Sequence, residues 1–517
     1  MTMRRLMTWL FGAFLLLLRE DAFALGLLDG YHLALENDPQ FQAAIQEHEA
    51  GRQYRALGRA ALLPRLVYSY NRGRSWSDVT QTTTRGDFKE DRDYDSYVST
   101  LSLQQPLFDY EAFSRYRKGV AQALLSDERF RSQSQELLVR VLEAYTGALL
   151  AQDQIELARA QKRSYREQFQ LNQRQFERGN GTRTDTLETQ ARFNLAQAQE
   201  IEARDSQDAA LRELERLVGA PLEIADLAPL GERFQVRPLS PASYTAWRDL
   251  ALAENPELAS LRHAVDVARY EVEQNRADFL PRLGLYASTG KSKSGSENTY
   301  NQRYETDSVG IQLSVPLFSG GETLAATRQA THRMEKSHYD LDDKVRETLN
   351  QVRKMYNQSS SSAAKIRAYE MTVDSARTLV MATRKSIAAG VRVNLDLLNA
   401  EQALYSAMNE LSKAKYDYLT AWARLRFYAG VLDEGDLELV AANFVSGAPP
   451  RLRDDGLPGT AAHPVEDRYG GKPGRAQLRP RRTCRQLFAW REVDVPGGST
   501  EVEQYARNCF SNKALFI

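Results

Sequence analysis

A stretch without an internal proline decides the fold; residues 106–179 read PLFDYEAFSRYRKGVAQALLSDERFRSQSQELLVRVLEAYTGALLAQDQIELARAQKRSYREQFQLNQRQFERG. A helix of about 70 residues is roughly 100 Å long, whereas a helix of a globular domain has only about three or four turns. The same opening, Pro316-Leu317-Phe318, starts a second such stretch that runs to Gly390. Two rods of this length indicate a protein that bridges a distance rather than one that encloses a small substrate.

The chain is a tandem duplication. Residues of one half recur in the other: Leu63-Pro64-Arg65-Leu66 matches Leu280-Pro281-Arg282-Leu283, Pro39 matches Pro256, Gly179 matches Gly390, and Gly219 matches Gly430. Matches in the same order at nearly constant spacing define a repeat architecture. We therefore expect a first repeat at residues 25–240 and a second at residues 241–445.

Each repeat is predicted to hold an opening helix, a β-hairpin, the long helix and a returning helix of about 33 residues that ends at glycine. The opening helices are expected at about residues 27–61 and 241–279, each ending where proline disfavours helix. Apolar residues in period-two alternation predict four strands. Their apolar rows are Leu66, Tyr68 and Tyr70; Leu101 and Leu103; Leu283, Leu285 and Ala287; and Val309, Ile311, Leu313 and Val315. The polar segments 71–93 and 290–306 are predicted to be solvated loops.

The long helices carry narrow apolar seams at helical spacing, as in coiled coils. The seam residues are Leu138, Val141, Leu142, Tyr145 and Leu149 in the first helix and Leu341, Val345, Leu349, Val352 and Tyr356 in the second. An opening helix and a returning helix together match the length of one rod. Stacked end to end, they are expected to pack along it.

The two ends of the chain differ from the repeats. Residues 1–24 hold Arg4 and Arg5, an apolar run over residues 6–18 and Ala22-Phe23-Ala24, a pattern typical of a signal peptide. The apolar run is shorter than the ~20 residues of a membrane-spanning helix. Residues 446–517 lack periodicity and contain both cysteines, so we predict a disordered or aberrant C-terminal tail.

Composition argues against several functions. The 68 basic and 68 acidic residues give zero formal net charge, so nucleic acid is not an expected partner. The six histidines are scattered, and no phosphate loop, nucleophile elbow or zinc spacing occurs. We therefore predict no catalytic activity, no cofactor and no metal centre.

Four strands with one apolar face cannot close a barrel, because the smallest membrane barrels have about eight strands. An open sheet in lipid leaves costly unpaired backbone groups, so copies of the chain must close it. Strands between lipid and water, in a chain with a signal peptide, indicate a bacterial outer membrane. A soluble sandwich domain on a stalk is the alternative that the pattern leaves open.

The repeated helix, Leu-Pro turn, hairpin and Pro-Leu-Phe entry, together with the sequence GVRVNLDLLNA at residues 390–400, resemble the TolC family of outer-membrane export ducts over about residues 26–445. The resemblance implies a mainly α fold with a small transmembrane β part: a homotrimer with a 12-stranded barrel in outer-membrane lipid and a 12-helix periplasmic tunnel. Within the family the sequence looks closest to channels of type I secretion. The resemblance therefore also implies a periplasmic membrane fusion protein and an inner-membrane ABC transporter as partners, and an unfolded protease as the exported substrate.

The resemblance also implies a gate at the periplasmic entrance. Carried over, Arg392 would reach Thr184 and Asp185 of a neighbouring subunit, and Asp396 would form an acidic ring that binds blocking cations. Asn399 stands where the family pattern can place a second acidic ring, and Ile387 where an aromatic residue can stand, so a weaker gate is expected. The alternative for Asp185 and Asp396 is a helix N-cap with a solvated carboxylate.

Two further functions remain open from the sequence. The outer-membrane component of a multidrug efflux pump would share this fold, although the lipid-modified cysteine of many such members is missing after the signal. A stalk-like adhesin or scaffold would share the rods but would not conduct ions.

Overall fold

The computed structural model describes residues 25–231, 234–294, 299 and 301–445. The predicted signal peptide and C-terminal tail lie outside the described residues. The helices of the first half are α1 (Leu27–Asn37), α2 (Pro39–Ala60), α3 (Tyr110–Glu177) and α4 (Arg183–Val218). Those of the second half are α5 (Tyr244–Glu254), α6 (Pro256–Arg276), α7 (Glu322–Ala388), α8 (Asn394–Tyr428) and α9 (Glu434–Ala441). Helices α3 and α7, of 68 and 67 residues, are the two predicted rods.

Each predicted opening helix is in fact two helices, so the prediction of one unbroken helix was wrong. The breaks fall at Asp38 and Asn255, because the prolines that follow them start new helices. Asp38 accepts hydrogen bonds from the backbone N–H groups of Gln40 and Phe41, and Asn255 accepts one from Leu258. Short polar side chains at these positions satisfy N–H groups that have no partner within the helix.

The same breaks bind the ends of the returning helices. Asn37 donates from Nδ2 to the carbonyl of Val218 at 2.9 Å, and Asn255 donates to the carbonyl of Tyr428 at 2.8 Å. In the first repeat Asp38 caps α2 and Asn37 binds the end of α4. In the second repeat Asn255 alone both caps α6 and binds the end of α8. This explains why the asparagines of the two repeats match with a shift of one residue.

The four strands form one antiparallel sheet in the order β1 (Arg65–Thr83), β2 (Gly86–Phe108), β3 (Arg282–Lys293) and β4 (Arg303–Ser314). The register aligns all four predicted apolar rows on one face: Leu66 pairs with Leu103, Leu103 with Ala287, and Ala287 with Val309. The opposite face is mostly polar, as in the row Val67, Ser102 and Ser288. One face of the sheet is thus suited to lipid and the other to water.

The prediction of a solvated loop at residues 71–93 was wrong. Strands β1 and β2 continue as a two-stranded ribbon to a tight turn between Thr83 and Gly86, and β3 pairs with β2 only from Tyr97 onward. Polar residues can form this ribbon because the cross-strand backbone bonds do not depend on side-chain polarity, and Arg74 and Asp93 add a bidentate ion pair. The second loop is likewise shorter than predicted, since β3 extends to Lys293 and β4 begins at Arg303.

The largest hydrophobic core lies midway along the rods, where α1, α3, α4, α8 and α9 meet. All five predicted seam residues of α3 are buried in it, and the Tyr145 hydroxyl donates to the carbonyls of Leu25 at 2.8 Å and Ala228 at 3.0 Å. Of the predicted α7 seam, only Val352 is fully buried, and the other four residues are half-buried. The main core thus surrounds α3, whereas Val352 of α7 packs with Trp247 and Ala251 of α5 in a smaller cluster.

In the part of the chain that the structure describes, none of the helices has both the length and the apolar character needed to cross a membrane. The predicted boundary at residues 240 and 241 falls in the connection between α4 and α5, and the division into two domains there stays a prediction.

Candidate functional site

Two turns of matching geometry lie at the end of the rods opposite the sheet. The turn between α3 and α4 contains Gly179 at φ +76°, and the turn between α7 and α8 contains Gly390 at φ +71°. In each turn the residue after the glycine donates back to a carbonyl of the last helical turn: Asn180 to Gln175, and Val391 to Ser386, both at 2.9 Å. These are glycine-terminated helix ends, which satisfy otherwise unpaired carbonyls.

Thr184 and Asp185 lie in the first turn of α4. Thr182 is the N-cap of this helix: its hydroxyl accepts from the backbone N–H of Asp185 at 3.1 Å and donates to the Asp185 carboxylate at 2.6 Å. Asp185 is therefore the third residue of the helix. The alternative interpretation of Asp185 as a helix N-cap was wrong. Thr184 is exposed beside it.

Arg392 and Asp396 belong to the second turn and to the start of α8. Val393 occupies the N-cap position without a side-chain bond, which again makes Asp396 the third residue of its helix rather than the cap. Arg392 is exposed, and among the described residues its guanidinium has no hydrogen-bond or ion-pair partner. The structure does not bring Arg392 into contact with Thr184 or Asp185 of the same chain.

Asn399 lies on α8, and among the predicted site residues its side chain alone forms a hydrogen bond to the other helix pair, α3 with α4. Its Oδ1 accepts from Nη2 of Arg192 on α4 at 3.2 Å, and the same guanidinium donates to Gln402. The position that lacks the second acidic residue of the family pattern thus holds a neutral acceptor for an arginine.

A second polar link, which the sequence did not predict, joins the two turns. The hydroxyl of Thr189 accepts from Asn172 at 2.7 Å and from Asn394 at 3.2 Å, and it donates to the carbonyl of Asp185 at 2.7 Å. The side chain of Leu398, on the same helix as Asn394, packs with Tyr165 and Ala196. In the sequence this link could have been found only from the turn, because Asn394 is part of the GVRVNLDLLNA sequence.

The structure thus places two helix pairs, α3 with α4 and α7 with α8, side by side and joined near their turns. The matching turns of these two helix pairs, together with the sheet that has one apolar face, define the class of protein to which the chain belongs. The model of the family described as "Outer membrane efflux protein" matches residues 30–220 and 247–431, and the chain belongs to this family.

Comparison with individual proteins shows which members of the family the chain is similar to. The chain is 99% identical over 455 residues to the alkaline protease secretion protein AprF of Pseudomonas aeruginosa, which covers 88% of this chain and 95% of that protein. It is 30% identical to the outer membrane protein TolC of Vibrio cholerae over 84% of this chain and 97% of that one. A crystal structure of CusC matches the fold with a TM-score of 0.67 at 18% identity, covering 79% of this chain and 92% of that one.

These comparisons confirm the resemblance to the TolC family and the predicted mainly α fold with a small transmembrane β part. The protein is an outer-membrane protein that extends into the periplasm. Its family and relatives are channel proteins.

Proposed function

We propose that three copies of this chain form the outer-membrane channel of a type I secretion system, through which an unfolded protease leaves the cell. The observation that carries the proposal is the sheet, whose four aligned apolar rows face one side while its outer strands, β1 and β4, have no further neighbour within the described chain. In lipid each unpaired backbone group costs several kcal/mol, so the edges require sister strands. Near identity to a protein named for alkaline protease secretion supports protease as the exported substrate.

Three chains supply twelve strands, which form a barrel. They also supply twelve helical rods, which form a tunnel, if each pair of short helices is counted as one rod. The conduit is passive and without catalysis. Energy comes from an inner-membrane ABC transporter, which a periplasmic membrane fusion protein connects to the tunnel.

The two turns form the gate in this proposal. Arg392 reaches Thr184 and Asp185 of the neighbouring subunit, and the exposed position and unpaired guanidinium of Arg392 support this role. Asp396 of each subunit contributes to an acidic ring that attracts cations. Asn399 adds no charge and is occupied by Arg192 of its own chain, so the ring has one carboxylate per subunit at this level.

The proposed function is tested by removing the protein from a strain that secretes an extracellular protease. We expect protease activity in the medium to fall to background while the cells retain the protease, and restoration of the chain on a plasmid to reverse the loss. Drug susceptibility should stay the same. Unchanged secretion together with increased drug susceptibility would overturn the proposal in favour of the efflux channel that the family description also supports.

Replacing Asp396 with alanine should weaken block of the channel by divalent cations about tenfold, because the ring loses its charge where the tunnel is narrow. The measurement is the current through purified channels in a planar bilayer as magnesium chloride is added. Asp205→Ala is the control, since Asp205 is an exposed carboxylate of α4 about 20 residues from Asp185. Equal block in Asp396→Ala, Asp205→Ala and the unmodified protein would remove the acidic ring from the account.

A further inference from the structure

Glu401 is a buried carboxylate that none of the roles above uses. It lies on α8, about two turns after the start of that helix at Asn394, and its side chain is 2% exposed. One oxygen accepts from Ser164 at 2.7 Å and from Gln168 at 2.6 Å, both on α3. The other accepts from Nη2 of Arg384 on α7 at 2.6 Å. One carboxylate therefore connects three helices.

These bonds fix the position of α8 relative to α3. A buried charge is costly unless it is paired and hydrogen-bonded. The donors to Glu401 come from two other helices, α3 and α7. Arg384 is 61% exposed and can return to water when the contact breaks. Glu401 loses its two donors on α3, Ser164 and Gln168, if α8 moves away from α3, so the link favours one arrangement of the helices.

The location of this link is specific. Helix α3 packs along α4, and α7 along α8, whereas the two pairs share a smaller contact with each other. The buried carboxylates of the described chain are Asp38, Glu200, Glu401 and Asp436. Of these, Asp38 pairs with Arg140, Glu200 with Lys162, and Asp436 with Arg426. Among these four buried carboxylates, Glu401 alone joins the α3–α4 pair to the α7–α8 pair.

We propose that Glu401 is a latch residue that holds the channel in its narrow state. Widening of the tunnel entrance separates the α7–α8 pair from the α3–α4 pair of the same chain and breaks the bonds of Glu401 to Ser164 and Gln168. This inference rests on the proposed channel function and adds a link within each subunit to the gate between subunits. Glu401 is a positioning residue, because it acts by holding helices and not by contact with the exported chain.

The test compares Glu401→Gln with Glu200→Gln in single-channel recordings of purified protein. Glutamine keeps the shape of glutamate but removes the charge that Arg384, Ser164 and Gln168 stabilise. Loss of hydrogen bonds to a charged group should raise the open fraction of the channel about tenfold. Glu200 is the matched control, since its side chain is also buried, and its partners Lys162 at 2.5 Å and Arg204 at 3.1 Å belong to the α3–α4 pair alone.

A second variant, Arg384→Gln, changes an exposed partner and leaves Ser164 and Gln168 in place, so it should raise the open fraction by a smaller factor. Far-ultraviolet circular dichroism and the heat-unfolding midpoint establish that each variant is folded. An open fraction of Glu401→Gln and Arg384→Gln equal to that of the unmodified channel would overturn the latch, whereas the current through the unmodified channel tests the channel function separately. An equal rise in Glu200→Gln would also overturn it, because any buried charge would then have the same effect.

Discussion

Replacing Gly430 with alanine is expected to destabilise the fold by about 4 kcal/mol, from backbone strain and a steric clash together. Gly430 ends α8 at φ +77°, a conformation that costs residues with a Cβ atom. An added Cβ would also lie 2.3 Å from the carbonyl oxygen of Glu254 and 2.6 Å from the Cα of Asn255. Both neighbours are backbone atoms at the break between α5 and α6, so the helices themselves must shift.

Gly390→Ala is the matched control for this prediction. Gly390 has a similar φ of +71°, but nothing lies within 4 Å of an added Cβ. Only the strain of the left-handed conformation remains, and it amounts to about 1 kcal/mol. The heat-unfolding midpoint of purified protein, followed by circular dichroism, should fall clearly further for Gly430→Ala than for Gly390→Ala. Equal midpoints would contradict the close approach of α8 to the α5–α6 break.

Asp38→Ala is expected to cost about 3 kcal/mol, because it removes a helix cap and one member of a buried ion pair. The Asp38 side chain is fully buried, and its Oδ2 accepts from Arg140 on α3 at 2.7 Å. It also accepts from the N–H groups of Gln40 and Phe41. Alanine leaves these N–H groups unpaired. Within the described ranges, it leaves the guanidinium of Arg140 with Gln40 as its one side-chain hydrogen-bond partner.

Asp38→Asn separates the two contributions. Asparagine is a good N-cap and retains an oxygen for Gln40 and Phe41, so the cost should fall to about 1 kcal/mol, which reports the lost charge. The readout is again the heat-unfolding midpoint. A loss as large for asparagine as for alanine would mean that the ion pair accounts for nearly the whole effect, and no loss for either would contradict the role of Asp38 at this junction.

The architecture was predictable from the sequence because it follows from periodicity and repetition. The rods, the returning helices and the apolar rows of the four strands each repeat a local pattern, and the sheet register then aligned those rows. The α1–α2 and α5–α6 breaks were missed although Pro39 and Pro256 marked them, because proline in a first helical turn starts a helix without lengthening the loop before it. The ribbon of β1 and β2 was missed because its side chains are polar and its stability comes from backbone pairing.

The site was less predictable than the fold. Arg392, Asp185 and Asp396 could be located at the turns from the sequence, yet the contacts of Asn399 with Arg192 and of Asn394 with Thr189 depend on the register between helices about 200 residues apart. Periodicity within each helix does not determine that register. Glu401 was missed for the same reason, because on α8 alone it reads as one more charged residue on a polar face.

We propose that the chain becomes a conduit only when sister copies complete its sheet and its ring of helices. The decisive experiment measures the mass of the detergent-purified protein and the current that the same particles carry in a planar bilayer. We expect particles of three chains that form ion-conducting channels. A single-chain particle that stays in solution without detergent and carries no current would contradict it.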